Sequence, residues 1–274
     1  PKAVQRFHRE AEAAAQLHHT NIVAVYASGE EGGTLFYAME LIEGPSLSQV
    51  IRQLRQTPAV APAQPTPPGE ANRDTPLAAT GPYMGSPSPS SSGLGLSASS
   101  PTPGITYFDT VARLVAEVAD ALDYAHQQGV IHRDIKPSNL LLAPAGRLSI
   151  NDFGLARLLE QPGMTVTGEM LGTPRYMSPE QITAGRVPVD HRTDIYSLGA
   201  TLYELLTLRP PFAADQRDQL LAQVIQKDPR PPRKVNPKVP VDLETICLKA
   251  LEKDPDRRYQ TAGHMADDLR RYVN

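Results

Sequence analysis

The chain has 274 residues, enough for one large domain or two small ones, and carries a net charge of −3 from 27 basic and 30 acidic side chains. That balance argues against a dedicated nucleic-acid binder, which needs a basic surface. The single cysteine, Cys247, excludes a disulfide framework. No apolar run approaches the roughly 20 residues of a spanning helix, so no membrane contact is expected from this segment.

Residues 3–18 have helical periodicity, with Phe7, Ala11, Ala14 and Leu17 on one stripe. Glu10 falls on that stripe, where a carboxylate needs a cationic partner. The β-rich runs 22–27 and 34–40 predict an antiparallel hairpin, separated by Gly29, Glu30, Glu31, Gly32 and Gly33. Residues 46–55 read as a helix with Ser46 as its N-cap. From Thr57 to Gly104 the chain is crowded with Pro, Ser, Ala, Gly and Thr. Such a composition cannot bury enough surface to offset its ordering entropy, so 57–104 is expected to be a disordered insert. Composition alone leaves a linker between two domains equally open. Asp109 is expected to cap a long apolar helix that ends at Gly129, and the rest of the chain to Asn274 reads as mostly helical.

Four motifs carry the chemistry. His132-Arg133-Asp134 is followed by Lys136 and Asn139, and Asp152-Phe153-Gly154 comes next. GTPRYMSPEQ occupies residues 172–181 and DIYSLG residues 194–199. In this order the motifs resemble the protein kinase superfamily, and in particular bacterial members of its eukaryotic-type Ser/Thr class. The resemblance runs along the whole chain.

It implies an α+β, two-lobed protein-kinase fold, with an incomplete N-terminal β lobe and a mostly helical C-terminal lobe. Residues 1–56 would hold the partial N-terminal lobe, hinge and start of the C-terminal lobe, 57–104 the insert, and 105–274 the C-terminal lobe. The implied activity is transfer of the ATP γ-phosphate to Ser or Thr hydroxyls of protein substrates, with ATP and Mg²⁺ as cofactors. Phosphoryl transfer is mostly alignment and charge stabilisation, which suits these residue types. Asp134 would accept the substrate hydroxyl proton, and Lys136 would neutralise γ-phosphate charge. Asn139 and Asp152 would supply hard oxygen ligands to the metal. The KPSN form, with Lys136 two residues after Asp134, resembles the Ser/Thr class, and Thr173 matches the threonine that bonds the catalytic Asp and Lys in that class.

The resemblance also implies structural roles. His132 and Phe153 would pack inside the domain, Glu180 would pair with Arg258, and Asp194 would brace the catalytic-loop backbone. Glu10 matches the family's helix-C glutamate. Met39 resembles the gatekeeper; the Glu40 carbonyl and Ile42 amide would pair with adenine, and Leu141 would pack beneath it. Thr165 and Thr167 resemble activation-loop phosphosites, with Arg133, joined by Arg157, as phosphate partner. The Gly-rich loop and the strand lysine that pairs with the helix-C glutamate precede helix C in the family. Neither falls within these residues, so the sequence is expected to be an N-terminally truncated record. A catalytically incompetent binding or scaffold module is the alternative. The expected location is cytoplasmic, with any membrane tether elsewhere in a longer protein.

Overall fold

The computed structural model describes residues 7, 11–32, 34–57, 106–153, 174–183 and 189–274. Glu10, Gly154, Arg157, Thr165, Thr167, Thr173 and nearly all of the 57–104 stretch lie outside the described residues. The fold is α+β: a small part built on a hairpin, and a larger part that is mostly helical.

Phe7 and residues 11–15 are helical, and Phe7, Ala14 and Leu17 are buried, as one apolar stripe requires. The hairpin pairs β1 (Val25–Glu31) antiparallel with β2 (Thr34–Met39). It differs from expectation in where the strand lies. Gly29, Glu30 and Glu31 belong to β1, not to the connection, which begins at Gly32 with φ +57°. The reason is Phe36, paired directly opposite Gly29: a Cβ at Gly29 would sit 2.8 Å from the Phe36 ring. The ring covers a glycine that would otherwise weaken the strand.

Helix α1 (Leu47–Gln56) starts at Ser46, whose N–H donates to Gln49 Oε1 at 2.8 Å. Helix α2 (Tyr107–Gln127) corrects the predicted cap. Thr106, not Asp109, is the N-cap; Asp109 sits three residues in and accepts from Thr106 N–H at 2.8 Å, while Asp109 N–H donates to Thr106 Oγ1 at 3.1 Å. The reciprocal box satisfies two donors where one cap would satisfy one. Gly129, φ +76°, follows the helix end.

Between α2 and the next helices lies a short antiparallel ribbon of β3 (Leu140–Leu142) and β4 (Leu148–Ile150). It is tied to the small part by backbone bonds: Val23 N–H to Ile150 O at 2.9 Å, Ile150 N–H to Asn21 O at 2.7 Å, and Leu142 N–H to Pro45 O at 2.9 Å. Gly44 passes so close to the Leu142 carbonyl that no Cβ fits there.

Helix α3 (Pro179–Ile182) precedes α4 (Arg192–Thr207), which is buried on every side from Thr193 to Thr207. Gly199 permits this, because a Cβ there would meet the Ala250 Cβ at 2.7 Å. Helices α5 (Arg217–Gln226), α6 (Pro232–Val235), α7 (Val241–Ala250) and α8 (Ala262–Val273) complete the larger part. α8 lies along α2, where Arg270 pairs with Asp120 and Tyr272 Oη donates to Asp109 Oδ1 at 3.0 Å. Among the described residues no helix is long and apolar enough to cross a membrane.

Glu180 and Arg258 meet as a bidentate buried pair, at 2.6 and 2.8 Å. Arg258 also donates to the carbonyls of Glu252, Lys253 and Arg192, so its donors are satisfied inside the protein. Breaking such a pair leaves a charge buried alone. Glu180→Gln and Arg258→Met should each lower unfolding free energy by about 3–5 kcal/mol. The double replacement should cost clearly less than the sum, as read by urea denaturation of all four proteins. Additive losses would mean the two side chains are not coupled.

Candidate active site

The ribbon delivers the candidate residues. The chain enters β3 through Asp134, Lys136 and Asn139, and leaves β4 through Asp152 and Phe153. Lys136 Nζ lies 2.6 Å from Asp134 Oδ2. Asn139 Nδ2 donates to the Asp134 carbonyl at 2.9 Å and to Oδ2 at 3.1 Å. Both amide hydrogens of Asn139 are thus spent on Asp134, which turns its carboxamide oxygen the other way.

Two of these positions are conformationally costly. Arg133 (φ +68°) and Asp152 (φ +62°) are in the left-handed region without being glycine. Each costs on the order of 1–3 kcal/mol and persists only where the surroundings over-determine it. For Arg133 the surroundings are visible. Asp194 on α4 accepts from Arg133 N–H at 2.7 Å and His132 N–H at 2.8 Å. Gln181 Nε2 on α3 donates to the Arg133 carbonyl at 2.7 Å.

His132 is fully buried, and both ring nitrogens are committed. Nδ1 accepts from Asp134 N–H at 3.2 Å and Nε2 donates to the Asn151 carbonyl at 2.9 Å. That fixes the Nε2–H tautomer and leaves no nitrogen for a reacting group. Phe153 packs edge-on against this ring, centroids 4.6 Å apart.

Met39, Glu40 and Ile42 are half-buried and lie where β2 gives way to irregular chain. Glu40 N–H donates to the Ala24 carbonyl at 2.8 Å. Leu141 is half-buried between buried Leu140 and Leu142, so it faces the opposite side of the ribbon from the core.

Sequence reasoning missed four contributors. Asn21, 8% exposed, donates to the Leu148 carbonyl at 2.8 Å and to Glu117 Oε2 at 3.2 Å, joining the small part to α2 and the ribbon. His126 Nε2 bonds Asp194 Oδ2 at 2.8 Å. Gln181 sits inside a motif that was read for Thr173 and Glu180 and not for Gln181. Tyr37 Oη lies 3.4 Å from Asp152 Oδ1; burial first, and then the Asp152 charge, push its phenol far above the ordinary range, so it is a donor here. None of the four has a spacing signal, because each acts on a partner distant in sequence.

The donor set suits Mg²⁺. Asp152 and Asn139 offer hard oxygens, and among the described residues no group of three or more His, Cys, Asp or Glu gathers as a closed metal cage. Mg²⁺ takes one or two protein carboxylates and completes its shell with phosphate and water.

The protein kinase domain family matches residues 102–269, more than half of the chain. The chain belongs to the protein kinase family. Its two parts are the lobes of the kinase fold, and the family implies use of ATP. A second family, described as the phosphotransferase enzyme family, matches residues 1–158. The chain is 35% identical over 98% of its length to the serine/threonine-protein kinase PknB of Mycobacterium leprae, covering 36% of that protein. It is 34% identical over 98% of its length to a probable serine/threonine-protein kinase of Streptomyces coelicolor, covering 33% of it. A probable serine/threonine-protein kinase of Clostridium acetobutylicum is 30% identical over 99% of the chain, which covers 34% of it. The chain therefore spans about a third of the length of the curated relatives it matches.

Asp194 gives a pH-dependent prediction. Burial alone would raise its pKa, but the His126 bond and charge, the nearby His132 and the Arg133 N–H bring it below the ordinary carboxylate value. A depressed folded pKa contributes stability above the unfolded value of about 3.9, and that contribution is lost as pH falls through the folded pKa. Asp194→Asn should cost about 2–3 kcal/mol at neutral pH, by facing an amide donor toward backbone donors. The gap between the two proteins should narrow as pH drops below about 4. A pH-independent gap in denaturant midpoints would show that the carboxylate charge is irrelevant.

Proposed function

We propose that this chain is the catalytic domain of a protein serine/threonine kinase. The observation that carries the reading is the Asp134 cluster: a carboxylate with Lys136 at 2.6 Å and Asn139 at 3.1 Å, on a loop whose strained backbone is held by α3 and α4. In the proposed reaction a Ser or Thr hydroxyl oxygen bonds to the γ-phosphorus of ATP, the bond to the β–γ bridging oxygen breaks, and ADP leaves. Asp134 orients the hydroxyl and accepts its proton. Lys136 stays beside Asp134 and faces the transferring oxygens, where its charge offsets theirs. Asn139 and Asp152 would hold Mg²⁺, which when bound supplies charge neutralisation at the phosphates.

Protein substrates are favoured over small molecules by the segment after residue 158. The phosphotransferase family match stops there, while the protein kinase match continues to 269. That later stretch holds Gln181, Glu180, Asp194 and Arg258, which support the catalytic loop. The adenine is read at Met39, Glu40 and Ile42, above Leu141. Glu10 would pair with the nucleotide-gripping lysine, and Thr165, Thr167 and Thr173 would act in the activation segment with Arg133. The domain would act in the cytoplasm, where ATP is available.

We also divide the chain into 1–56, an insert at 57–104, and 105–274. Support comes from the two flanks. Leu47, Val50, Ile51 and Leu54 of α1 share one buried cluster with Val111, Leu114 and Val115 of α2. Arg55 of α1 also reaches Glu204 of α4 at 2.6 Å. This shared burial of the two flanks supports reading 57–104 as an insert within one domain.

With the full-length protein, ATP and a panel of Ser, Thr and Tyr peptides, label should pass to Ser and Thr. Asp134→Asn should cut kcat by roughly 10²–10⁴-fold while leaving nucleotide affinity in place. An unchanged kcat would remove Asp134 from the reaction, and no transfer by the wild type would favour a binding module. Replacing Thr165 and Thr167 together by Ala should slow peptide phosphorylation and remove phosphate from that segment in mass spectra. Unchanged turnover would exclude them as activating sites.

A further inference from the structure

The orientation of Asp152 decides whether an ion can be held between it and Asn139. The left-handed backbone at Asp152 is a conformation its neighbours must enforce. On one side Phe153 is fixed against the buried His132 ring, 4.6 Å between centroids. On the other side the contact comes from β2. Tyr37 Oη is 3.4 Å from Asp152 Oδ1, and the two residues are 115 apart in sequence.

Tyr37 is well placed to act at a distance. Along β2, Leu35, Tyr37 and Met39 are half-buried and alternate with exposed Thr34, Phe36 and Ala38. Tyr37 and Met39 therefore share one face of the strand. The Tyr37 ring leans on Phe7, centroids 6.1 Å apart, which limits its swing. A tyrosine has few rotatable bonds, so its hydroxyl is presented at the end of a stiff arm.

We propose that Tyr37 is a positioning residue for the metal-holding carboxylate. Its hydroxyl donates to Oδ1 of Asp152 and restrains that oxygen, so that Oδ2 is the one presented to Mg²⁺. This rests on the kinase reading of Asp152. Donors that orient a ligating carboxylate are typically worth about 10–100-fold in metal affinity. A contact of 3.4 Å is long for a hydroxyl donor, which puts Tyr37 at the low end of that range.

The test is Tyr37→Phe in the full-length protein, which keeps the ring and its contact with Phe7 and removes only the hydroxyl. Binding of a fluorescent N-methylanthraniloyl ATP is titrated at stepped Mg²⁺ concentrations and again in EDTA. The Mg²⁺ concentration giving half-maximal enhancement of binding should rise about tenfold. Affinity in EDTA and the melting temperature should stay at wild-type values. An unchanged Mg²⁺ midpoint in the variant, with a wild type that responds to Mg²⁺ and transfers phosphate, overturns the role of Tyr37 and leaves the kinase reading intact. Lowered melting temperature with an unchanged midpoint also overturns it, because a merely structural hydroxyl behaves that way. A wild type with no Mg²⁺-dependent nucleotide binding overturns both.

Discussion

The geometry of the loop that carries Asp134 depends on one buried carboxylate. Asp194 takes the N–H groups of His132 and Arg133 on its two oxygens and shares one oxygen with His126. An uncompensated charge in that position would be prohibitive, and here the three donors compensate it. The bonds also hold Arg133 in a conformation a non-glycine residue avoids. Asp134, the next residue, takes its direction from that held backbone. Gln181 secures the same peptide from the other side, through the Arg133 carbonyl. Gln181 rides on α3, and α3 is anchored by Glu180 to Arg258. The pair far from the chemistry and the carboxylate next to it serve one loop.

Helix α4 concentrates these constraints. It is buried on every side, yet Asp194, Ser197, Thr201 and Glu204 recur along it at spacings of three and four. That spacing puts them on one stripe. Ser197 Oγ donates to the Tyr176 carbonyl at 2.7 Å, and Glu204 accepts from Tyr176 Oη at 2.5 Å and from Arg55 at 2.6 Å. Thr201 satisfies its hydroxyl on the Ser197 carbonyl of its own helix. A polar stripe inside a core is tolerable only if each member is satisfied, and these are. The stripe fixes the His132–Arg133 backbone at one end and the Tyr176 segment at the other. The apolar remainder of the helix supplies the burial that makes its bonds effective.

How much of this could be read beforehand depended on sequence distance. The candidate loop around Asp134, the Asp152 segment and the helix around Asp194 stood out because their residues recur at short, fixed intervals. The long helix from Tyr107 was legible from its apolar period, but its cap was not. Asp109 is a good capping residue, and only the position of Thr106 three residues earlier makes it the second half of a box. The hairpin was legible and its turn was not, since glycines at 29, 32 and 33 all look like punctuation. Gly29 is instead a strand residue lying under an aromatic ring on the facing strand, and that relation exists only once the register is known. Asn21, Tyr37 and His126 were invisible for the same reason. Their partners are 127, 115 and 68 residues away.

The short ribbon β3–β4 explains why the candidate site sits at the junction of the lobes. Its outer edges bond to residues flanking the hairpin, at Asn21 and Val23 on one side and Pro45 on the other. Asn21 adds a side-chain bond to Leu148 of the same ribbon. The roots of the hairpin are therefore fixed to the element that carries Asn139 and Asp152, while the hairpin itself extends beyond these ties. The tied residues therefore sit next to the Asn139 and Asp152 side chains. A side chain on β2 that reaches Asp152 then sits close to these ties. Tyr37 occupies such a place, two residues before Met39.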